Sequence, residues 1–131
     1  MQFLKSFSFT AVFVAALAVS ASAHHSHGNY DISTWSIYEG TVKELYLVRP
    51  HSWVYVEITD DAGTAAVWAI EAGGPEAITR SDVGTGDVRP GDTISVRCHR
   101  LLDGSNGCLL GFVTPMHGDM ARGHGIEREW D

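Results

Sequence analysis

The residues with the clearest chemical potential are histidines in the first half of the chain. His24, His25 and His27 fall within one short run, and His51 lies two positions before Trp53. Imidazole nitrogen is a common metal ligand, and a planar set of nitrogen donors suits Cu(II), which leads the divalent affinity series. We therefore consider copper as the cofactor. His24 would supply its ring and a free α-amine, and His51, or else His25 or His27, would supply the third nitrogen. The alternative is a solvated terminus, with His51 hydrogen-bonded to backbone.

This copper hypothesis requires His24 to become the first residue of the mature chain. Lys5 is followed by an apolar run at positions 7–19 and then by Ala21-Ser22-Ala23, the pattern of a secretory signal peptide with a small-x-small cleavage site. The apolar run is shorter than the roughly 20 residues of a membrane span. The sequence predicts cleavage after Ala23, a periplasmic or secreted protein, and no stable membrane span after cleavage.

Two cysteines and a second group of soft ligands are the other reactive side chains. Cys98 and Cys108 flank a turn-like segment, and in an exported chain a disulfide between them is the expected state, with free thiols or a metal site as alternatives. Near the C-terminus, Met116-His117, Met120 and His124 combine ligands that suit Cu(I). They lie in a glycine-rich stretch, however, so a mobile tail is the favoured interpretation.

Size and charge restrict the classes of partner. Cleavage would leave 108 of the 131 residues, enough for one domain, and loss of Lys5 would change the net charge from −7 to −8. This acidic balance argues against nucleic acid, whose binding depends on Lys and Arg. It is compatible with a metal ion, a periplasmic protein or a small ligand as partner.

No catalytic motif accompanies these features. The sequence lacks GxSxG, HExxH and a glycine-rich phosphate loop, and Glu71 is a lone carboxylate beside Gly73-Gly74. A single acid without a partner motif predicts no reaction. We therefore expect a binding protein and not an enzyme.

The elements that must position these residues are mainly strands. Alternating apolar, β-branched and aromatic residues predict strands, and Pro75 suits the first turn of a short helix. Five strands with a helix between the third and fourth predict an all-β, OB-fold-like barrel with small α content, and an open β-sandwich is the alternative. The predicted strands are 37–47, 53–59, 65–70, 93–100 and 109–113, with the helix at 76–80.

The predicted domain organisation follows from these elements. Residues 1–23 form the signal peptide, 24–36 an exposed His-rich lead-in, 37–115 the barrel, and 116–131 a flexible C-terminal tail. Aromatic side chains suggest a second function, in which the barrel face binds a non-metal partner, a saccharide or a peptide. The residues in question are Trp35, Trp53, Tyr55 and Trp68.

The combination of motifs resembles a family of small exported bacterial proteins of unknown function, in which a His-His-Ser motif follows the signal peptide. The matching segments are His24-His25-Ser26, Tyr30-Asp31, Gly40-Thr41-Val42, Pro50-His51-Ser52-Trp53, Trp68, Gly73-Gly74-Pro75, Pro90-Gly91-Asp92 and Asp103-Gly104-Ser105-Asn106. Arg49 stands where the family usually has Asn, and the cysteine pair and Met/His tail are peculiar to this chain. The resemblance implies export and a small β-barrel, and it supplies no catalytic residue.

Overall fold

The computed structural model describes residues 25–80 and 86–131, so the predicted signal peptide and His24 lie outside the described residues. The fold is mostly β, with one short α-helix and two short 3₁₀ turns at His25–Asn29 and Met120–Arg122. In the described part of the chain, no helix is long and apolar enough to cross a membrane. The main elements are β1 (Ser36–Tyr46), β2 (Ser52–Thr59), β3 (Ala65–Ala72), α1 (Pro75–Arg80), β4 (Thr93–Arg100), β5 (Gly107–Pro115) and β6 (Arg128–Glu129).

The first five strands close into a barrel. Strand β1 pairs antiparallel with both β2 and β4, β2 pairs with β3, and β4 pairs with β5. A parallel pairing of β3 with β5 closes the barrel, which leaves these strands few unpaired edges. With α1 between β3 and β4, the connectivity is that of an OB-fold. The predicted fold class is confirmed.

Strand alternation explains which side chains fill the barrel. On β2, Val54, Val56 and Ile58 are buried, and the residues between them face outward. The long strand β1 pairs with two neighbours, and its register with β2 shifts between Val42 and Glu44, as at a β-bulge. Gly40 allows β1 and β2 to approach closely, because a Cβ there would meet the Glu57 carbonyl oxygen at 2.3 Å.

One end of the barrel is closed by residues from three separate segments. Ile78 of α1, Val88 and Trp130 are each buried in the central hydrophobic cluster. The two glycines before α1 permit this packing: a Cβ on Gly73 would come within 2.8 Å of the Asp131 backbone, and one on Gly74 within 2.9 Å of the Pro50 carbonyl oxygen. The Gly-Gly-Pro motif is therefore required where the chain end and the Pro50 turn converge.

The prediction of a flexible C-terminal tail at 116–131 is wrong. Strand β6 pairs with β5, and Trp130 is only 1% exposed; its N–H donates to the Gly111 carbonyl and its carbonyl accepts from the Gly73 N–H. Arg122 forms a partly buried ion pair with Asp92. The segment lacks an apolar period because a single tryptophan supplies its core contact, while hydrogen bonds and an ion pair hold the remainder.

Cys98 and Cys108 form a disulfide between β4 and β5, with their Cα atoms 5.8 Å apart. Both cysteines are fully buried. The bridge spans the β4–β5 turn, as the hairpin-like sequence between the cysteines predicts.

Candidate functional site

The most unusual polar arrangement is centred on Glu71, whose side chain is buried although it carries a carboxylate. One oxygen, Oε2, accepts a 2.6 Å hydrogen bond from the Tyr30 hydroxyl, and the other, Oε1, lies 2.5 Å from His51 Nδ1. Glu71 is 5% exposed and Tyr30 8%, whereas 35% of the His51 side chain is exposed. A buried carboxylate requires such partners, because leaving it unpaired would cost several kcal/mol.

Three local features bring these groups together. His51 follows the Arg49–Pro50 turn, in which the peptide bond is cis, and immediately precedes β2. Glu71 is the penultimate residue of β3 and is paired in register with Trp53, so both side chains project from the outer surface of the barrel. Arg49 itself forms an exposed ion pair with Glu76 of α1. The Pro-His-x-Trp segment and the end of β3 thus form one side of the site.

The N-terminal segment forms the other side: most of residues 27–36 are exposed, but Tyr30 is buried against the barrel. Tyr30 makes an antiparallel bridge to Leu101, the Asp31 N–H donates to the Arg100 carbonyl, and the Leu102 N–H donates to the Asn29 carbonyl. The Tyr30 ring therefore covers the barrel wall. Burial and the hydrogen bond to Glu71 raise the pKa of the Tyr30 phenol, which keeps it a proton donor at neutral pH.

The arrangement defines the chemical state of His51. A carboxylate oxygen accepts from Nδ1, so Nδ1 carries a proton, and in the neutral ring Nε2 is then the nitrogen with the free lone pair. A carboxylate that accepts from one ring nitrogen while the other remains available is the usual support of a metal-binding histidine. The His51 side chain is therefore oriented and exposed in a way that suits one metal ligand.

The other predicted N-terminal ligands are placed only in part. His24 lies outside the described residues, His25 begins the 3₁₀ turn, and His27 is exposed. Among the side chains that the structure describes, in residues 27–80 and 86–131, no three His, Cys, Asp or Glu groups converge on a single point.

The C-terminal Met/His group is used within the fold. The Nδ1 atoms of His117 and His124 accept hydrogen bonds from the Asp119 and Gly118 N–H groups, and His117 Nε2 is 3.0 Å from the Asp87 carbonyl oxygen. Both nitrogens of His117 are therefore engaged. Met120 is strongly exposed and does not complete a pocket with them.

The four aromatic residues predicted to form a binding face lie on different surfaces. Trp68 points into the barrel and is buried against Tyr38, with ring centroids 4.7 Å apart. Trp53 and Tyr55 face outward on β2. Trp35 lies over a different wall, against His99 at 3.8 Å and Phe112 at 5.7 Å. They do not form one continuous face.

Tyr30 and Glu71 are the site residues that sequence reasoning missed. In the sequence Glu71 is a lone carboxylate, because its two partners are 20 and 41 positions away in the chain. A signal was nevertheless present: an acidic residue continues the apolar strand Ala65–Ala72, where a charge is costly unless it is paired.

These observations define a small OB-type barrel with a buried Tyr–Glu–His group on its outer wall. No curated protein matches the sequence. A family model does match: the chain belongs to a family of unknown function, DUF6152, whose model covers residues 11–110. The matched region includes all three residues of the Tyr30–Glu71–His51 group and ends within β5, before the C-terminal segment.

Proposed function

We propose that this protein is an exported binding protein that holds copper between His51 and its mature N-terminus. The observation that carries the proposal is the hydrogen-bonded chain from Tyr30 through Glu71 to His51. It links the start of the folded domain, where the His-rich run ends, to a histidine whose Nε2 is available.

The Glu71 carboxylate has two effects on a metal ligand. It fixes the tautomer and the ring orientation of His51, and it increases the basicity of Nε2. Because Tyr30 occupies the other carboxylate oxygen, Glu71 is held from both sides. An imidazole fixed in this way loses little conformational freedom on binding, which favours a defined site over casual chelation by a flexible histidine.

The His-rich run leads directly into Tyr30, whose hydroxyl bonds to the same carboxylate as His51. Asn29 lies beside Leu102, so a shared copper site requires the residues before it to turn back toward Glu71. An N-terminal His24 would supply an amine and an imidazole, with His51 as third nitrogen and His25 or His27 as substitute donors. Nitrogen donors of this kind suit Cu(II).

Export is part of the proposal, since only cleavage after Ala23 would create the required amine. The signal-like segment at 1–23 and the buried Cys98–Cys108 disulfide support an oxidising, periplasmic or secreted location. We propose binding and not catalysis, because the Tyr–Glu–His group is used to orient a ligand in this interpretation.

The test combines the mature mass with copper titration. Protein exported by its native host should have the mass of a chain starting at His24, and metal-free protein should bind one Cu(II) with a nitrogen-rich paramagnetic resonance spectrum. His51→Ala should abolish that spectrum, and Glu71→Gln should weaken affinity roughly 10–100-fold.

His99→Gln is the matched control. Like His51, His99 is partly buried, and its Nδ1 lies 2.8 Å from an oxygen acceptor, but that acceptor is the Thr34 carbonyl, whereas Glu71 is bonded to Tyr30 and His51. This variant should bind copper as the wild type does. A different mature start, together with equal copper affinity in His51→Ala and wild type, would overturn the proposal.

A non-metal function is the second candidate, and one observation favours it. Tyr46, Trp53 and Tyr55 lie on the outer surface of neighbouring strands, with the Tyr46 and Tyr55 rings in an edge-on contact at 5.8 Å. Such a surface suits a partner protein, a saccharide or a peptide. A partner captured equally by wild type and by a variant lacking residues 24–27, but not by Trp53→Ala, would support this candidate.

A further inference from the structure

A second candidate site lies inside the open end of the barrel, away from the copper site. A pocket of about 330 Å³ is lined there by Tyr38, Trp68 and Arg100, among other residues. Strands β1, β3 and β5 begin at this end, whereas Trp130 and α1 close the opposite one. We propose that this pocket binds a small zwitterion, a free amino acid or a short peptide.

The inner part of the pocket is apolar and aromatic. Trp68 and Ile58 are buried, and the Tyr38 ring lies against the Trp68 ring. The guanidinium carbon of Arg100 lies 4.7 Å from the centroid of Trp68 and 5.8 Å from that of Tyr38. These cation–π contacts hold the charged group over the aromatic floor.

Arg100 has too few acceptors for a partly buried guanidinium. Of its five N–H donors, one on Nη2 bonds to the Gly104 carbonyl at 3.1 Å, and Nε is buried without a hydrogen-bond partner. Within the described residues, no carboxylate forms an ion pair with Arg100. A ligand carboxylate would supply the missing counter-charge, and guanidinium is the cation that best fits a planar carboxylate.

The rim of the pocket carries the opposite charge. Asp60 and Asp61 lie at the entrance, and Asp60 Oδ1 accepts the Thr64 N–H at 2.8 Å, which holds that carboxylate in place. A simple anion would be repelled by this rim and by the net charge of −7. A molecule with a carboxylate at one end and an ammonium at the other satisfies both Arg100 and the rim, and an apolar side chain matches the floor.

The first experiment uses ligands and needs no variant. Calorimetric titration of the folded, metal-free protein with L-leucine and with leucyl-leucine should show saturable binding. The protein is kept metal-free so that bound copper cannot itself bind the added ligands. Leucinamide, which lacks the carboxylate, and N-acetyl-leucine, which lacks the ammonium, should each bind roughly 10–100-fold more weakly, as expected for loss of a charge-assisted contact. Absence of saturable binding by both zwitterions, or equal binding of leucinamide and leucine, would overturn the proposal.

Variants then assign the contacts to residues. Arg100→Gln should reproduce the loss seen with leucinamide, and Asp61→Asn the loss seen with N-acetyl-leucine. Arg80→Gln, which removes an exposed arginine at the end of α1, is the matched control and should bind as the wild type does. Binding that is unchanged in folded Arg100→Gln would refute the assignment, and the ligand series remains decisive if that variant fails to fold.

Discussion

Replacing Trp130 with alanine tests whether the C-terminal segment is an integral part of the fold. Trp130 is the last residue but one, and its side chain is 99% removed from solvent, between α1 and the barrel interior. A terminal residue of a flexible tail would tolerate this change. A residue that plugs the barrel would not, because its loss opens a cavity next to Ile78 and Val88.

The size of the effect can be worked out from burial. An indole side chain removes about 150–250 Å² from water, which at about 25 cal/mol per Å² corresponds to about 4–6 kcal/mol. The Trp130 indole N–H, however, is buried without an acceptor among the described residues, an arrangement that already costs about 1–3 kcal/mol. Alanine removes both terms, so the expected loss in the free energy of unfolding is about 3 kcal/mol, within the usual range for such truncations.

Urea unfolding followed by far-ultraviolet circular dichroism measures this loss without relying on tryptophan fluorescence. With a slope of about 1–3 kcal/mol per molar urea, the midpoint should fall by roughly 1–3 M. Met120→Ala is the control in the same segment, since its side chain is 71% exposed, and its midpoint should be unchanged. A loss below about 0.5 kcal/mol in Trp130→Ala, no larger than a surface change, would refute the reasoning.

Three further predictions concern contacts that stabilise the barrel. Hydrogen bonds from Arg122 and the Arg89 N–H outweigh the effect of burial and lower the pKa of Asp92. The ion pair with Arg122 therefore stabilises the fold above about pH 4, and this stabilisation is lost on acidification. Asp92→Asn should make the free energy of unfolding less dependent on pH in this range, and an unchanged pH dependence would contradict the prediction. Gly40→Ala should lower the free energy of unfolding, measured in urea, by more than about 2 kcal/mol, because the added Cβ would meet the Glu57 carbonyl oxygen. Gly28→Ala is the control and should leave the free energy of unfolding unchanged, since a Cβ there meets nothing within 4 Å. Reduction of the Cys98–Cys108 disulfide should lower the free energy of unfolding by roughly 2–3 kcal/mol, as expected for a short closed loop. Thermal or urea unfolding measures this loss, and an unchanged midpoint would contradict the prediction.

The strands could be predicted because each carries its own local signal. Alternation on β2 and the Gly-Gly-Pro break before α1 are readable within a few residues, and together with strand order they define an OB-type connectivity. The C-terminal segment has no comparable signal. Its attachment depends on Trp130 and on the Asp92–Arg122 pair, whose partners are 30 positions apart, so no window of neighbouring residues contains the information.

The candidate site shows the same division between local and distant information. His51 stood out through its residue type and its position next to a proline turn, but its partner Glu71 could be identified only once β2 and β3 were in register. Tyr30 required a still longer connection, because it bonds to Glu71 only after the N-terminal segment has crossed to Leu101.

This dependence on the fold has a consequence for function. A histidine whose orientation is set by a buried carboxylate, itself held by a tyrosine from the N-terminal segment, is available in its binding state only in the folded chain. Under the proposed function, copper affinity at His51 should therefore decline together with the circular dichroism signal as urea is added. A His-rich peptide corresponding to residues 24–29 would show no such dependence, since it has no fold to lose. The two behaviours separate a built site from simple chelation by the N-terminal histidines.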